Sequence, residues 1–347
     1  MGVFSSSCGR CSIKKFAVIL AGGRGERFWP LSQPDLPKQF LTIFDDRPLL
    51  IQTLERIFGY FTRSERLLII PRELKKITVK YVGKENIVIE PLRRNTAPAI
   101  CLAALVLRQR FGNGVMHVMP ADHIIKPKNA FLGALRYGQV LAEKGYLVTY
   151  GIKPVRPETG YGYVRIGEQI GSRGKNAAFH GAGFTEKPGA STARRYLRSR
   201  RYLWNSGIFT FAVGTILGEI QNFVPRVYNG VSRFLASGRI GHFRRVPDIS
   251  IDYGVMEKSK RLCVVQGNFA WDDVGSWLAL ERYFGKDRQD NILIGDARGI
   301  EVADSIMFSQ EVPLRAYDVQ GLIVVVSKHG VLVCRKERAQ DLKKLLK

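Results

Sequence analysis

No stretch of the chain approaches the roughly 18 consecutive apolar residues that a helix needs to span a bilayer, so no membrane segment is expected. The opening residues, MGVFSSSCGRCSIKKF, lack the basic start, apolar centre and small-residue cleavage site of a secretory signal. A cytoplasmic protein is therefore expected, with residues 1–15 as a mobile tail. Gly2 and Ser6 fit the loose myristoylation pattern, but so short a match arises often by chance and no membrane anchor is expected. Cysteine is sparse and odd in number. Cys8 and Cys11 form one C-x-x-C without a second pair, and Cys101, Cys263 and Cys334 sit in apolar stretches. A structural zinc site needs more ligands than that, which leaves reduced thiols. Acidic residues are few, 30 against 54 lysines and arginines, giving a net charge of +24. The basic residues are dispersed through stretches such as RPLLIQTLERIF, RRYLRSRRY and HFRRVP, not gathered into a patch interleaved with stacking aromatics. No nucleic-acid partner is expected; a diffuse positive surface suits attraction of small anions.

The chain does have ample apolar material, 45% of 347 residues, enough for a sizeable core and favouring two domains. From Phe16 to Gly151 the apolar runs FAVIL, RLLII, NIVIE, VMHVM and YLVTYGI alternate with helix-like stretches. Such alternation predicts an α/β fold with a doubly wound, mainly parallel, Rossmann-like sheet. After Gly151 the pattern is less regular, with GYGYVRIG, AGFTEKP and SGIFTFAV reading as strands and STARRYLRS as a helix that together wall the sheet. The domain expected over 16–287 is followed over 288–347 by short β-type runs, NILIG and LIVVVS, and a basic terminal helix, KERAQDLKKLLK. That reads as a small C-terminal β domain.

Ligands of doubly wound sheets lie beyond the carboxyl ends of the strands. There fall the loops AGGRGERFWP, PLRRNTAP and PADH. Glycines between a strand and a helix leave backbone amides free to hold phosphate. The first loop is not a P-loop, which needs Lys-Ser or Lys-Thr after its glycines, nor the dinucleotide fingerprint, which needs glycine at Phe28. Arg24, Arg27 and Lys38 follow its glycines on a segment stiffened by Pro30 and Pro37. Forked guanidinium and mobile ammonium groups together suit a triphosphate.

AVILAGGRGERFWPLSQPDLPKQFL resembles the opening motif of the sugar-phosphate nucleotidyltransferases, and seven further blocks agree in order: EPLRRNTAPAI, MPADHII, PETGYGYVRIG, FTEKP, WNSGIF, SIDYGVMEK and WDDVGSW. The likeness runs from about residue 16 to 285 and is closest to members that act on mannose 1-phosphate. It implies transfer of GMP from GTP to mannose 1-phosphate, giving GDP-mannose and pyrophosphate with magnesium. The implied nucleotide contacts are backbone groups at Ala21, Gly22, Gly23 and Gly25, with Arg94, Asn95 and Thr96 beside the base; Asn-Thr-x-Pro equally reads as a helix cap. Arg27, Lys38 and Asp122 are the implied catalytic residues, and Asp122 and Asp273 the metal carboxylates, with Asp272 the less favoured neighbour. Magnesium prefers oxygen, which makes His123 structural or outer-shell. Gly162, Glu186, Lys187 and Asn205 are implied for the sugar phosphate. Adjacent residues of a strand point to opposite faces, so Glu186 and Lys187 reach one ligand only if a bulge or the ligand itself intervenes.

The family commonly has small residues at Arg24 and Glu26, and VSKHGVLV (326–333) stands where an acidic stretch is usual. Glu26 must point away from the phosphates or pair with a cation. The chain ends at Lys347 without an isomerase domain, so transferase activity alone is expected, and a homodimer is compatible with the likeness. Two other readings stay open: the same reaction on ATP or dTTP with glucose 1-phosphate, and a non-catalytic sugar-nucleotide-binding relative.

Overall fold

The computed structural model describes residues 13–83 and 85–346. The expectations placed on Gly2, Ser6, Cys8 and Cys11, and on most of the tail, lie outside the described residues. β1 (Lys15–Leu20), α1 (Leu49–Ile57), β2 (Arg66–Pro71), α2 (Lys75–Val82), β3 (Ile87–Glu90), α3 (Thr96–Phe111) and β4 (Val115–Pro120) alternate along the chain. Their strands pair in parallel in the order β3-β2-β1-β4. Successive β1 residues serve two cores. Phe16 and Val18 pack with Ile100 and Leu107 of α3, whereas Ala17 and Ile19 pack with Leu50 and Leu54 of α1. Burial on both faces is why this strand reads as an unbroken apolar run.

The chain continues through β5 (Ile124–Lys126), α4 (Lys128–Glu143), β6 (Leu147–Ile152), β7 (Tyr163–Arg173), β8 (Asn176–Thr185), α5 (Ala190–Ser199) and β9 (Tyr202–Ala212). Three helices follow, α6 (Val213–Phe223), α7 (Pro225–Ser237) and α8 (Ile240–Arg244), then β10 (Leu262–Gln266) and β11 (Ala270–Asp272). The large sheet has nine strands in the order β3-β2-β1-β4-β9-β6-β10-β8-β7. It is mixed. The parallel arrangement expected from the pattern holds for β1 to β4 and for β6 beside β10, while β7, β8 and β9 pair antiparallel. These three strands are not each preceded by a crossover helix, the connection that parallel neighbours require.

The small C-terminal domain is a four-stranded sheet of β12 (Ile292–Ala303), β13 (Ile306–Gln320), β14 (Leu322–Ser327) and β15 (Gly330–Arg335), parallel except for β15. The terminal segment Lys336–Leu346 forms 3₁₀ turns, not the regular α-helix its composition suggests. Its buried Ala339 and Leu342 are three residues apart, the spacing that a threefold helix stacks on one face. Both join a third core with Phe28, Leu31, Trp277, Ile306, Ile323 and Leu332, so the glycine loop and the small domain share one hydrophobic contact.

Candidate active site

β1 and β4 end in register, Leu20 opposite Pro120, so the glycine loop and the Ala121–His123 turn leave the sheet side by side. Ala21 is buried, and its carbonyl accepts from Gln39 Nε2 at 2.8 Å. Gly22 faces Glu90 Oε2, and Gly23 has open space around it. Gly25 has φ +65°, and a Cβ there would lie 2.3 Å from Lys38 Cβ. Both the left-handed backbone and the close approach demand glycine. The loop is thereby pressed against Lys38, whose side chain is 8% exposed.

Lys38 Nζ lies 2.8 Å from Asp122 Oδ2 and donates to the backbone carbonyl of Asp273 at 2.6 Å. One ammonium thus draws together the β4 turn and the WDDVGSW loop. Burial pushes the Asp122 carboxyl up, but the charges of Lys38 and His123 and the Lys38 hydrogen bond outweigh it and hold Asp122 below its usual range. Asp273 Oδ1 accepts from Tyr161 OH at 2.8 Å. Asp272 has a different task. It is buried, pairs with both Arg282 Nε and a second Arg282 nitrogen at 2.8 Å, and accepts from the Val274 amide at 2.8 Å. His123 Nδ1 accepts from Trp271 Nε1 at 3.1 Å, and burial lowers the imidazole pKa. It supports the turn from behind.

Among the described residues no three His, Cys, Asp or Glu side chains gather as a metal cluster. Magnesium takes one or two protein carboxylates and fills its shell with water and phosphate. Asp122, whose carboxylate meets Lys38, and Asp273, whose backbone carbonyl meets the same ammonium, are hard oxygen donors of the type that fits it.

Next to Tyr161, whose backbone carbonyl accepts from the Lys187 amide at 3.3 Å, lies a cluster of polar residues. β8 stops at Thr185, so Glu186 and Lys187 are beyond the strand and its alternation no longer applies. Lys187 takes φ +48°, and its ammonium meets Glu186 Oε1 at 2.8 Å. A Cβ on Gly162 would lie 2.4 Å from Glu186 Oε2, and the Gly162 carbonyl accepts from the Asn205 amide at 2.8 Å. Asn205 Oδ1 accepts from Thr149 at 2.7 Å and its Nδ2 donates to Asp252 at 2.9 Å. Burial, with the nearby Glu186 charge, pushes Asp252 up to about 7. All four sugar-side residues named from the sequence therefore converge.

The base-side residues do not converge in the same way. Asn95 caps α3, its side chain accepting from the Thr96 amide at 2.9 Å, and Thr96 Oγ1 accepts from the Ile251 amide at 2.8 Å. The Arg94 guanidinium turns away to the Arg244 carbonyl at 2.9 Å. The polar group left facing the loop is Glu90. It is 5% exposed, one carboxyl oxygen is unpartnered, and burial pushes its pKa from 4.5 to about 7 against the lowering by the Arg94 amide and Arg93. Between pH 4.5 and about 7 the folded chain keeps a proton that the unfolded chain has lost, so stability falls as pH rises through that window. Glu90→Gln should flatten this slope, by at most about 3 kcal/mol, in denaturant titrations at pH 5 and pH 7.

Arg27 stands at the rim of a cavity lined also by Arg156, Tyr161, Asp273, Arg282 and Gln340, and its guanidinium donates to Gln340 Oε1. Arg24 and Glu26 pair with each other at 3.3 Å, so the acid's charge is met by its neighbour. Gln39, Glu90, Tyr161, Asp252 and Gln340 escape a reading of motifs by residue type. All but Gln340 lie inside the recognisable blocks, which is the one signal that could have found them.

The sequence model of the nucleotidyl transferase family matches residues 16–290, and that of the MannoseP isomerase/GMP-like beta-helix domain matches residues 295–347. A mannose-1-phosphate guanylyltransferase of Salmonella typhimurium is 37% identical over 95% of this chain and 71% of its own length. One from Klebsiella pneumoniae is 37% identical over 94% and 72%. Among solved structures, one described as a mannose-1-phosphate geranyltransferase from Thermus thermophilus superposes with a TM-score of 0.86 at 36% identity, covering 96% of this chain and 98% of that one.

Proposed function

Since the chain belongs to the nucleotidyl transferase family, we propose that it transfers GMP from GTP to mannose 1-phosphate, forming GDP-mannose and pyrophosphate in the cytoplasm. The observation that carries the mechanism is the position of Lys38, buried at the mouth of β1 and β4 and shared by Asp122 and the Asp273 carbonyl. The sugar phosphate, with a second pKa near 6, is mostly dianionic at neutral pH and is its own nucleophile, so no general base is needed. What must be overcome is repulsion between two polyanions brought to about 3–3.5 Å in line with the leaving group.

Lys38 stabilises the charge developing around the α-phosphate, the loop amides at Gly22 and Gly23 hold the nucleotide, and Arg27 takes the outer phosphates. Glu186 and Asn205 accept from and donate to sugar hydroxyls across the bare backbone of Gly162, while Lys187 pairs with the sugar's phosphate. Magnesium, when held by Asp122 and Asp273, neutralises phosphate charge as a Lewis acid. Guanine presents two adjacent N–H donors on its Watson–Crick edge, a pattern that adenine does not offer and that Glu90 accepts in its ionised form, which prevails above about pH 7.

Pyrophosphate release measured with GTP, ATP, dTTP and UTP against mannose and glucose 1-phosphates should give GTP with mannose 1-phosphate the highest kcat/KM, by at least about tenfold. A higher value for any other pair would replace this reading, and absence of turnover in all pairs would favour a non-catalytic relative.

A further inference from the structure

We propose that Gln340, in the C-terminal segment, is a positioning residue for Arg27, aiming its guanidinium while leaving its positive charge uncompensated for a polyphosphate. The inference rests on the site proposed above. Three cations face the cavity beside Tyr161, and their partners differ. Arg282 is held by the Asp272 carboxylate, with one contact at 2.8 Å, and Arg156 by the Glu158 carboxylate at 3.1 Å. Arg27 instead donates to the side-chain amide oxygen of Gln340, 313 residues away in sequence. Among the described residues no carboxylate lies within ion-pair distance of Arg27. An amide oxygen orients a guanidinium without neutralising it; a carboxylate would do both.

The surroundings make the direction of that side chain the remaining freedom. Phe28, next to Arg27, is wholly buried in the core shared with Ala339 and Leu342, which flank Gln340 on its own segment. Trp29 is fixed twice: its carbonyl accepts from Trp277 Nε1 at 3.1 Å, and its indole lies so close to Gly330 that a Cβ there would approach within 3.0 Å. Gly330 belongs to VSKHGVLV, so the stretch that departs from the family pattern seats the catalytic loop on the small domain. Lys336 secures the start of the Gln340 segment by bonding Glu281 at 2.7 Å.

The test compares Gln340→Ala with Gln340→Glu, each alone and combined with Arg27→Ala. Gln340→Ala loses orientation only, and kcat/KM for GTP should fall about 3- to 10-fold, the worth of one hydrogen bond, with KM for mannose 1-phosphate unchanged. Gln340→Glu adds a competing anion and should fall further, with a loss that shrinks as salt rises from about 0.05 to 0.5 M. Neither substitution should matter once Arg27 is alanine. Binding of inorganic tripolyphosphate, followed by calorimetry, should show the same order, and reads Arg27 even in a preparation without turnover. Failure of the functional reading is thereby separable from failure of this one. Equal losses for the two variants, or losses that persist in the Arg27→Ala background, would assign Gln340 a structural role and overturn the proposal.

Discussion

Lys38→Met should lower turnover by about a hundredfold or more, corresponding to about 2.7 kcal/mol of transition-state stabilisation. The expectation comes from the environment of the ammonium, not from its charge alone. Lys38 is almost wholly buried, and its Nζ has a carboxylate at 2.8 Å and a backbone carbonyl at 2.6 Å. Its position is set before any ligand arrives, so little reorganisation is left to the reaction itself. Removing it also strips Asp122 of the charge that holds its carboxyl below the ordinary range, so a loss of thermal stability should accompany the loss of rate. Lys38→Arg should fail to restore activity, because the ammonium is buried between the Asp122 carboxylate at 2.8 Å and the Asp273 carbonyl at 2.6 Å, a seat for a compact point charge that a planar guanidinium does not match. Arg27→Ala, at the exposed rim, should cost at least about tenfold without the stability loss. Steady-state kinetics with a melting curve for each variant separate these outcomes; wild-type turnover in Lys38→Met would remove the phosphate assignment.

The second large effect divides two neighbouring aspartates. Asp272→Asn should lower stability by about 2 to 4 kcal/mol, since it breaks a buried bidentate pair with Arg282 and weakens the bond from Tyr283 OH at 3.2 Å, with Arg282's partial exposure moderating the loss. Asp273→Asn should leave the melting temperature close to that of the wild type while reducing turnover by about a hundredfold and raising the magnesium concentration needed for half-maximal rate. The distinction follows from what each carboxylate touches. Asp272 is consumed by its own scaffold, whereas Asp273 has one hydrogen bond from Tyr161 and otherwise faces the cavity. Similar stability losses in both variants, with similar magnesium dependence, would contradict the assignment.

Asp273 was legible because a recognisable motif named it, and Asp272 was set below it on the same ground; the reason for the ranking, the Arg282 clamp, was not legible. Arg282 stands ten residues on, and only the 3₁₀ turn over Trp277–Arg282 brings it back. The parallel half of the sheet was readable from FAVIL and VMHVM because strands buried on both faces have no polar alternation to confuse with loops. The helices over residues 213–244 were hidden in a mixed pattern of apolar and basic residues, although Pro225 marks the first position of one of them. At the site, Lys38, Asp122 and the glycines could be named because the chemistry proposed for them is tied to residue type, and the structure sets them side by side at the ends of β1 and β4.

Glu186 and Lys187 posed a geometric difficulty on paper, which the end of β8 at Thr185 and the positive φ of Lys187 remove. Arg94, Asn95 and Thr96 show the opposite limit. Their side chains can all bond a purine, but the fold directs them to a helix cap and to backbone groups near Arg244 and Ile251. The residue facing the loop, Glu90, is an ordinary acid at the end of a strand until burial is known. Gln340 lies beyond any local motif; its relation to Arg27 exists only because Phe28 and Leu342 share a core.

The claim on which the rest depends is that Lys38, released from purely internal partners, meets the α-phosphate at the mouth of β1 and β4. The structure of the protein with GDP-mannose and magnesium tests it most directly. The account predicts a phosphate oxygen of the nucleotide within hydrogen-bond distance of Lys38 Nζ, the ion on Asp122 and Asp273, and the mannose over Gly162 between Glu186 and Asn205. A nucleotide bound elsewhere, with Lys38 still engaged only by Asp122 and the Asp273 carbonyl, would contradict it.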